Sequence, residues 1–80
     1  MSENNIPEFI KRLQNERAEF SIKVENSAKF FETSVFAGLS DYQQELLRQQ
    51  DDAMSEYLDI LDLRIDNELQ ILKDNANANV

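Results

Sequence analysis

The chain has 80 residues, with 16 acidic and 8 basic side chains, a formal net charge of −8, one Gly, one Pro, and no Cys, His or Trp. Those absences remove disulfides, thiol nucleophiles, cysteine- or histidine-based zinc sites and imidazole acid–base catalysis. The acidic balance also sets the chain against phosphate backbones, so direct nucleic-acid binding is not expected.

Eighty residues allow one domain, in the size range where a single core is marginal unless packing is very regular or chains associate. No segment approaches the roughly 18 unbroken apolar residues of a membrane span. Met1 to Asn5 is polar and acidic, unlike a signal peptide. The expected location is the cytoplasm. The excess of carboxylates either mimics nucleic acid in a partner's basic groove or keeps a helical oligomer soluble. The acids are scattered, with no run longer than Asp51-Asp52, which favours solubility.

After a lead-in over 1–6, the first helix is expected over 7–32. Proline suits a helix start, Asn4 or Asn5 can cap, and Glu8 complements the helix dipole. Phe9, Ile10, Leu13, Phe20, Val24, Ala28 and Phe31 recur at helical spacing, with Ile6 just ahead. The step from Leu13 to Phe20 skips a turn, which Glu16 or Arg17 fills. Glu19 with Lys23 and Glu25 with Lys29 stand at the favourable four-residue spacing.

The connection, 33–40, is not a polar loop, because it holds Val35, Phe36, Ala37 and Leu39. A short helical turn that plugs the end of a hairpin is expected. Phe36 and Leu39 are alternatively partner-contact residues at an exposed tip. Gly38 offers a backbone conformation closed to other residues, and Ser40 to Gln43 fits a capping box.

The second helix is expected over 41–73, about 50 Å long. The low-complexity tail, 74–80, is expected to be disordered. A stripe runs along this helix through Leu47, Gln50, Met54, Tyr57, Leu61, Arg64 or Ile65, Glu68 or Leu69, and Leu72. The apolar surface is wider than one antiparallel neighbour covers, and soluble monomers avoid exposing such patches. The fold expected is therefore all-α: an antiparallel helical hairpin of two long helices joined by a short helical turn. It oligomerises into a helical bundle through Leu47, Met54, Leu58, Leu61, Ile65, Leu69 and Leu72.

The polar members of the stripe are the candidate ligand-binding residues. Arg64 either lays its stem over apolar surface and reaches Glu68, or presents a planar fork to phosphate or carboxylate. Tyr57 is either a rim aromatic or a platform for a base. Gln50 sets register across an oligomer axis, faces solvent, or meets ligand. Arg17 joins them if the skipped turn of the first helix faces Gln50 or Arg64. Catalysis is not expected. Carboxylate di-metal bundles need histidine, Asp51 and Asp52 point about 100° apart, and neither a calcium loop nor a Gly-rich phosphate loop is present. No metal and no cofactor are implied.

The pattern Leu46-Leu47-x-x-Gln50-x-x-x-Met54-x-x-Tyr57-x-x-Ile60-Leu61-x-x-Arg64-Ile65 resembles a family of small phage and prophage proteins related to a gene product of a crAss-like phage. Arg12-Leu13, Glu16, Glu19-Phe20, Lys23-Val24 and Phe30-Phe31 agree in the front half, followed by Phe36 and Leu39. The resemblance covers roughly residues 9 to 66, and Ser27 departs from it, since a large aliphatic residue is usual there. It implies phage origin, host-cell cytoplasm and a helical hairpin, without a defined chemistry. Small phage proteins of this kind are often counter-defence factors, and some helical oligomers among them sequester nucleotide immune signals. By this fold-level analogy the chain captures a small nucleotide between subunits. The alternatives are an acidic helical inhibitor or adaptor acting on a host defence protein, or a purely structural oligomerisation module.

Overall fold

In a computed structural model, residues 6–78 are described. Three helices follow in order: α1 (Glu8–Phe30), the single turn α2 (Ser34–Ala37) and α3 (Asp41–Ala78). The two long helices, of 23 and 38 residues, pack side by side as an antiparallel hairpin, and the molecule measures 61 × 18 × 15 Å. No strand occurs among the described residues. Among the described residues, no helix is long and apolar enough to cross a membrane.

α1 starts one residue after Pro7, whose carbonyl accepts from the backbone N–H groups of Ile10 and Lys11. Among the described residues no side chain caps this end; Asn4 and Asn5, expected as caps, lie outside them. Its apolar spacing holds one face against α3, where Ile10 and Leu13 are buried. Glu25 meets Lys29 at 3.8 Å on the solvent side. α1 ends at Phe30, two residues earlier than expected, because Thr33 takes the chain away. The Thr33 hydroxyl donates to the Phe30 carbonyl at 2.7 Å and accepts from the Phe36 N–H at 3.2 Å. One side chain thus closes α1 and opens α2.

The plug expected between the helices forms around Phe36, which is 6% exposed. Its ring meets Phe30 and Phe31 edge-on at 6.0 and 4.9 Å. The Arg48 guanidinium of α3 stands 5.3 Å over it. Phe36 is therefore an internal residue of the tip, with little surface left for a partner. Leu39 is half-buried, and Val35 and Ala37 are exposed. Gly38 has φ −84° and ψ −5°, so the special glycine conformation expected there is not used.

The capping box at the start of α3 is present in both directions. The Ser40 N–H donates to Gln43 Oε1 at 2.9 Å, and the Gln43 N–H donates to Ser40 Oγ at 3.2 Å. Gln44 adds a device that the sequence did not signal. Its Nε2 donates to the carbonyls of Phe36 and Leu39 at 3.0 and 3.3 Å, satisfying the end of α2. α3 then runs past Lys73 to Ala78, five residues beyond the expected end. Propagating an established helix costs far less than starting one. Gln70 Nε2 also binds Asp74 Oδ1 at 2.9 Å across the next turn, and two of the added residues are alanines.

Between the helices lies a thin core. Leu13, Leu61 and Ile65 form its buried cluster, with Phe20 and Leu69 packed against it. Among the described residues, only Leu61 and Ile10 are sealed almost completely, at 0% and 1% exposure. The core-facing members of the α3 stripe are therefore engaged by α1 within one chain.

Candidate functional site

The register of the hairpin follows from residues that meet across it. Arg17 of α1 reaches Asp62 of α3, with Nε at 2.7 Å from Oδ1 and Nη2 at 3.4 Å from Oδ2. Asp62 holds the guanidinium above the usual arginine range, first through this hydrogen bond and then through its charge. Both side chains keep more than two-fifths of their surface in water, at 42% and 44%. Arg17 thus fills the skipped turn of α1, but it turns to a carboxylate rather than to Gln50 or Arg64. Asp62 carried no distinguishing signal in the sequence, because an acid on an amphipathic helix is ordinary until the register is known.

The other resident of the skipped turn, Glu16, accepts a hydrogen bond from the Tyr57 hydroxyl. The Tyr57 ring meets Phe20 in an edge contact, with centroids 4.9 Å apart and planes at 72°. Tyr57 and Asp62 are separated by about 140° around α3. Arg17–Asp62 and Glu16–Tyr57 therefore lie on opposite edges of the hairpin seam. Burial follows the same division, since Arg17 is half-buried and Glu16 is exposed. The hydrogen bond to Glu16 raises the Tyr57 pKa above its ordinary value, as do partial burial and the Glu16 charge, while the charge of Arg64 pulls it down. Arg64 thus shares the electrostatic field of Tyr57.

Gln50, Tyr57 and Arg64 follow one another at seven-residue steps, so they stand on one edge of α3 about 10 Å apart along the axis. All three are exposed, Tyr57 at 41%. The edge that carries them also presents Leu46, Ile60 and Ile71, at 45%, 47% and 45% exposure. Structure has split the stripe in two. Leu61 and Ile65 are buried between the helices, and Leu47, Met54, Leu58, Leu69 and Leu72 are half-buried along the same seam. Of the seven positions expected to mediate association, Leu61 and Ile65 have almost no surface left for another chain.

A groove of about 150 Å³ opens at the free end of the hairpin, lined by Pro7, Phe9, Ile10, Glu68, Ile71, Leu72 and Asn75. It is smaller than the roughly 300–1,000 Å³ of ordinary ligand sites, and none of the four candidate ligand residues lines it. Ser27 is half-buried near the tip end of α1. No group of acidic residues that could hold a metal ion occurs among the described residues. One chain thus brings Tyr57, Glu16 and Arg64 to a common edge with Gln50 two turns away, and leaves Arg17 on the other edge.

Comparison with known proteins places this arrangement in a family. No curated protein and no solved structure matches the chain. The family model described as Sequestin matches residues 7–67, which takes in all of α1, the plug and α3 through Ile65 and beyond. That span contains α1, the larger part of α3, the Glu16–Tyr57 contact, Gln50 and Arg64. The chain belongs to the Sequestin family.

Proposed function

We propose that this protein is a phage-encoded counter-defence factor that sequesters a small nucleotide immune signal by stoichiometric capture, without turnover. The family name fits a sequestering role. Phage origin rests on the resemblance carried by the Leu46-to-Ile65 pattern. The observation that carries the reading is the exposed edge of α3. Tyr57 offers an aromatic face held in place by Phe20 and Glu16, and Arg64 offers a guanidinium in the same field. An aromatic platform beside a planar cation suits a base and a phosphate of one nucleotide. Calorimetric titration of the purified protein with cyclic mono- and dinucleotides, ADP-ribose and cyclic ADP-ribose tests it. The expected result is saturable binding of at least one of these, recovered chemically unchanged. Absence of binding across the panel sinks the reading.

A second reading is favoured by the opposite side of α3, where Asp52, Asp59 and Asp66 are all exposed. Such a face suits an acidic inhibitor docking on a basic host protein. Charge reversal at Asp59 and Asp66 weakens that mode and leaves nucleotide capture intact.

A further inference from the structure

The exposed edge of α3 has a regularity that packing within one chain does not require. Leu46, Ala53, Ile60 and Asn67 recur every seven residues, and so do Gln50, Tyr57, Arg64 and Ile71. Interleaved, the two sets advance by alternating steps of four and three, the spacing of a coiled-coil seam. Every one of these positions is exposed. α3 carries ten carboxylates, and none of them stands on this seam. The core seam facing α1 runs beside it, through Leu47, Met54 and Leu61. α3 thus has two adjoining seams, and only one is occupied.

The identity of the occupant is written in the order of the residues. If a second α3 runs antiparallel along the seam, Leu46 faces the partner's Ile71 and Gln50 faces the partner's Asn67. Ala53 then faces the partner's Arg64, and Tyr57 faces the partner's Ile60. Branched aliphatic meets branched aliphatic, amide meets amide, and the smallest side chain meets the longest. No other sequence need be invoked, because one register satisfies all four pairings and their symmetry mates. A parallel arrangement instead sets Arg64 against Arg64 and Ala53 against Ala53, which adds like-charge repulsion and a void. In the antiparallel register the two Arg64 side chains stand about 16 Å apart along the axis.

We propose that a second copy of this chain packs antiparallel on the exposed α3 seam, and that each of two symmetry-related binding recesses is shared between copies. Tyr57 and Arg64 come from one copy, and Gln50 and Ala53 from the other. Ala53 supplies the room, since it lies opposite Arg64 where a larger residue would fill the space. The shared recess deepens the sequestration reading and rests on it, whereas the seam itself does not. It also accounts for the position of Gln50, which lies too far along α3 to join Arg64 within one chain but returns to it from the partner.

The chain has no cysteine, so an engineered pair reports the register directly. Chains carrying Leu46→Cys and chains carrying Ile71→Cys are oxidised separately and as a mixture, with helicity checked by circular dichroism. Both sites are on the exposed edge, outside the Leu13, Leu61 and Ile65 cluster. The expected result is a covalent dimer from the mixture and little from either alone. A Leu46→Cys homodimer, or no cross-link in the mixture, overturns the seam. Sedimentation of the unmodified chain should show a dimer, and of Ile60→Asp a helical monomer; a wild-type monomer overturns the proposal. Titration with ADP-ribose and the cyclic nucleotides then addresses the recess. Binding at least tenfold weaker in Ile60→Asp than in the unmodified chain supports it, and equal binding overturns the shared recess alone. If neither binds, sequestration fails while the cross-link still decides the seam.

Discussion

Tyr57 of the long helix donates its phenolic proton to Glu16 of the first helix, so an aromatic side chain on the exposed edge of α3 is also tied to α1. The ring is oriented by Phe20 on one side and the hydroxyl by Glu16 on the other. A side chain held at both ends loses less conformational freedom when it binds a flat partner.

That contact makes a pH prediction. The hydrogen bond to Glu16, partial burial and the Glu16 charge raise the Tyr57 pKa, with Arg64 acting the other way. A folded-state value above the unfolded one means that the contribution is complete below about pH 10 and is lost as pH rises through the raised value. In a Tyr42→Phe background, ultraviolet titration of Tyr57 should show a midpoint above the ordinary tyrosine value. Glu16→Gln should move that midpoint down, and Arg64→Ala should move it up. An unshifted midpoint in the parent would contradict the contact.

Leu61 is the most tightly sealed side chain of the core, at 0% exposure. Leu61→Ala should cost about 2–5 kcal/mol, a large share of the stability of so small a domain. Urea denaturation followed by circular dichroism measures it. Ile60→Ala, one residue away on the exposed edge, should leave the unfolding of the isolated hairpin nearly unchanged.

Gly38 is replaceable. Its φ is −84°, and an added Cβ would meet Ser34 O at 3.5 Å and Val35 O at 3.6 Å, ordinary contact distances. Gly38→Ala should therefore stabilise by about 0.4–1 kcal/mol through the unfolded chain. A lowered melting temperature would show that the tip needs a conformation other than the one described.

The Arg17–Asp62 pair lies largely in solvent, so its contribution should be small and sensitive to salt. Arg17→Ala should lower the melting temperature slightly at low ionic strength, with the difference fading toward about 1 M salt. Nucleotide binding should be unchanged by this substitution, because Arg17 stands on the edge away from Tyr57.

Some of this organisation is legible in local sequence. Pro7, the three- and four-residue spacing of apolar residues and the Ser40–Gln43 box specify two long helices and their approximate ends. These features act over a turn or less, and backbone hydrogen bonding within a few residues enforces them. The plug follows from Phe36, whose large apolar ring is driven out of water while its neighbours Val35 and Ala37 stay exposed. The end of α3 was less legible, because weak intrinsic propensity at Asp74 to Ala78 yields to extension of a helix already formed.

Tertiary structure decided how the stripe divides. By itself the sequence placed Gln50, Tyr57 and Arg64 with the core residues on one broad face, since 40° around a helix separates them only when a neighbour is present to bury one side. α1 supplied that neighbour. It sealed Leu61 and Ile65, left Gln50, Tyr57 and Arg64 on the outer edge, and took Arg17 to Asp62. Which carboxylate Arg17 meets, and which edge Tyr57 turns toward, depend on the register of two helices joined by ten residues of turn and plug. No short-range pattern encodes that register, because it is set by side chains separated by more than forty positions in sequence.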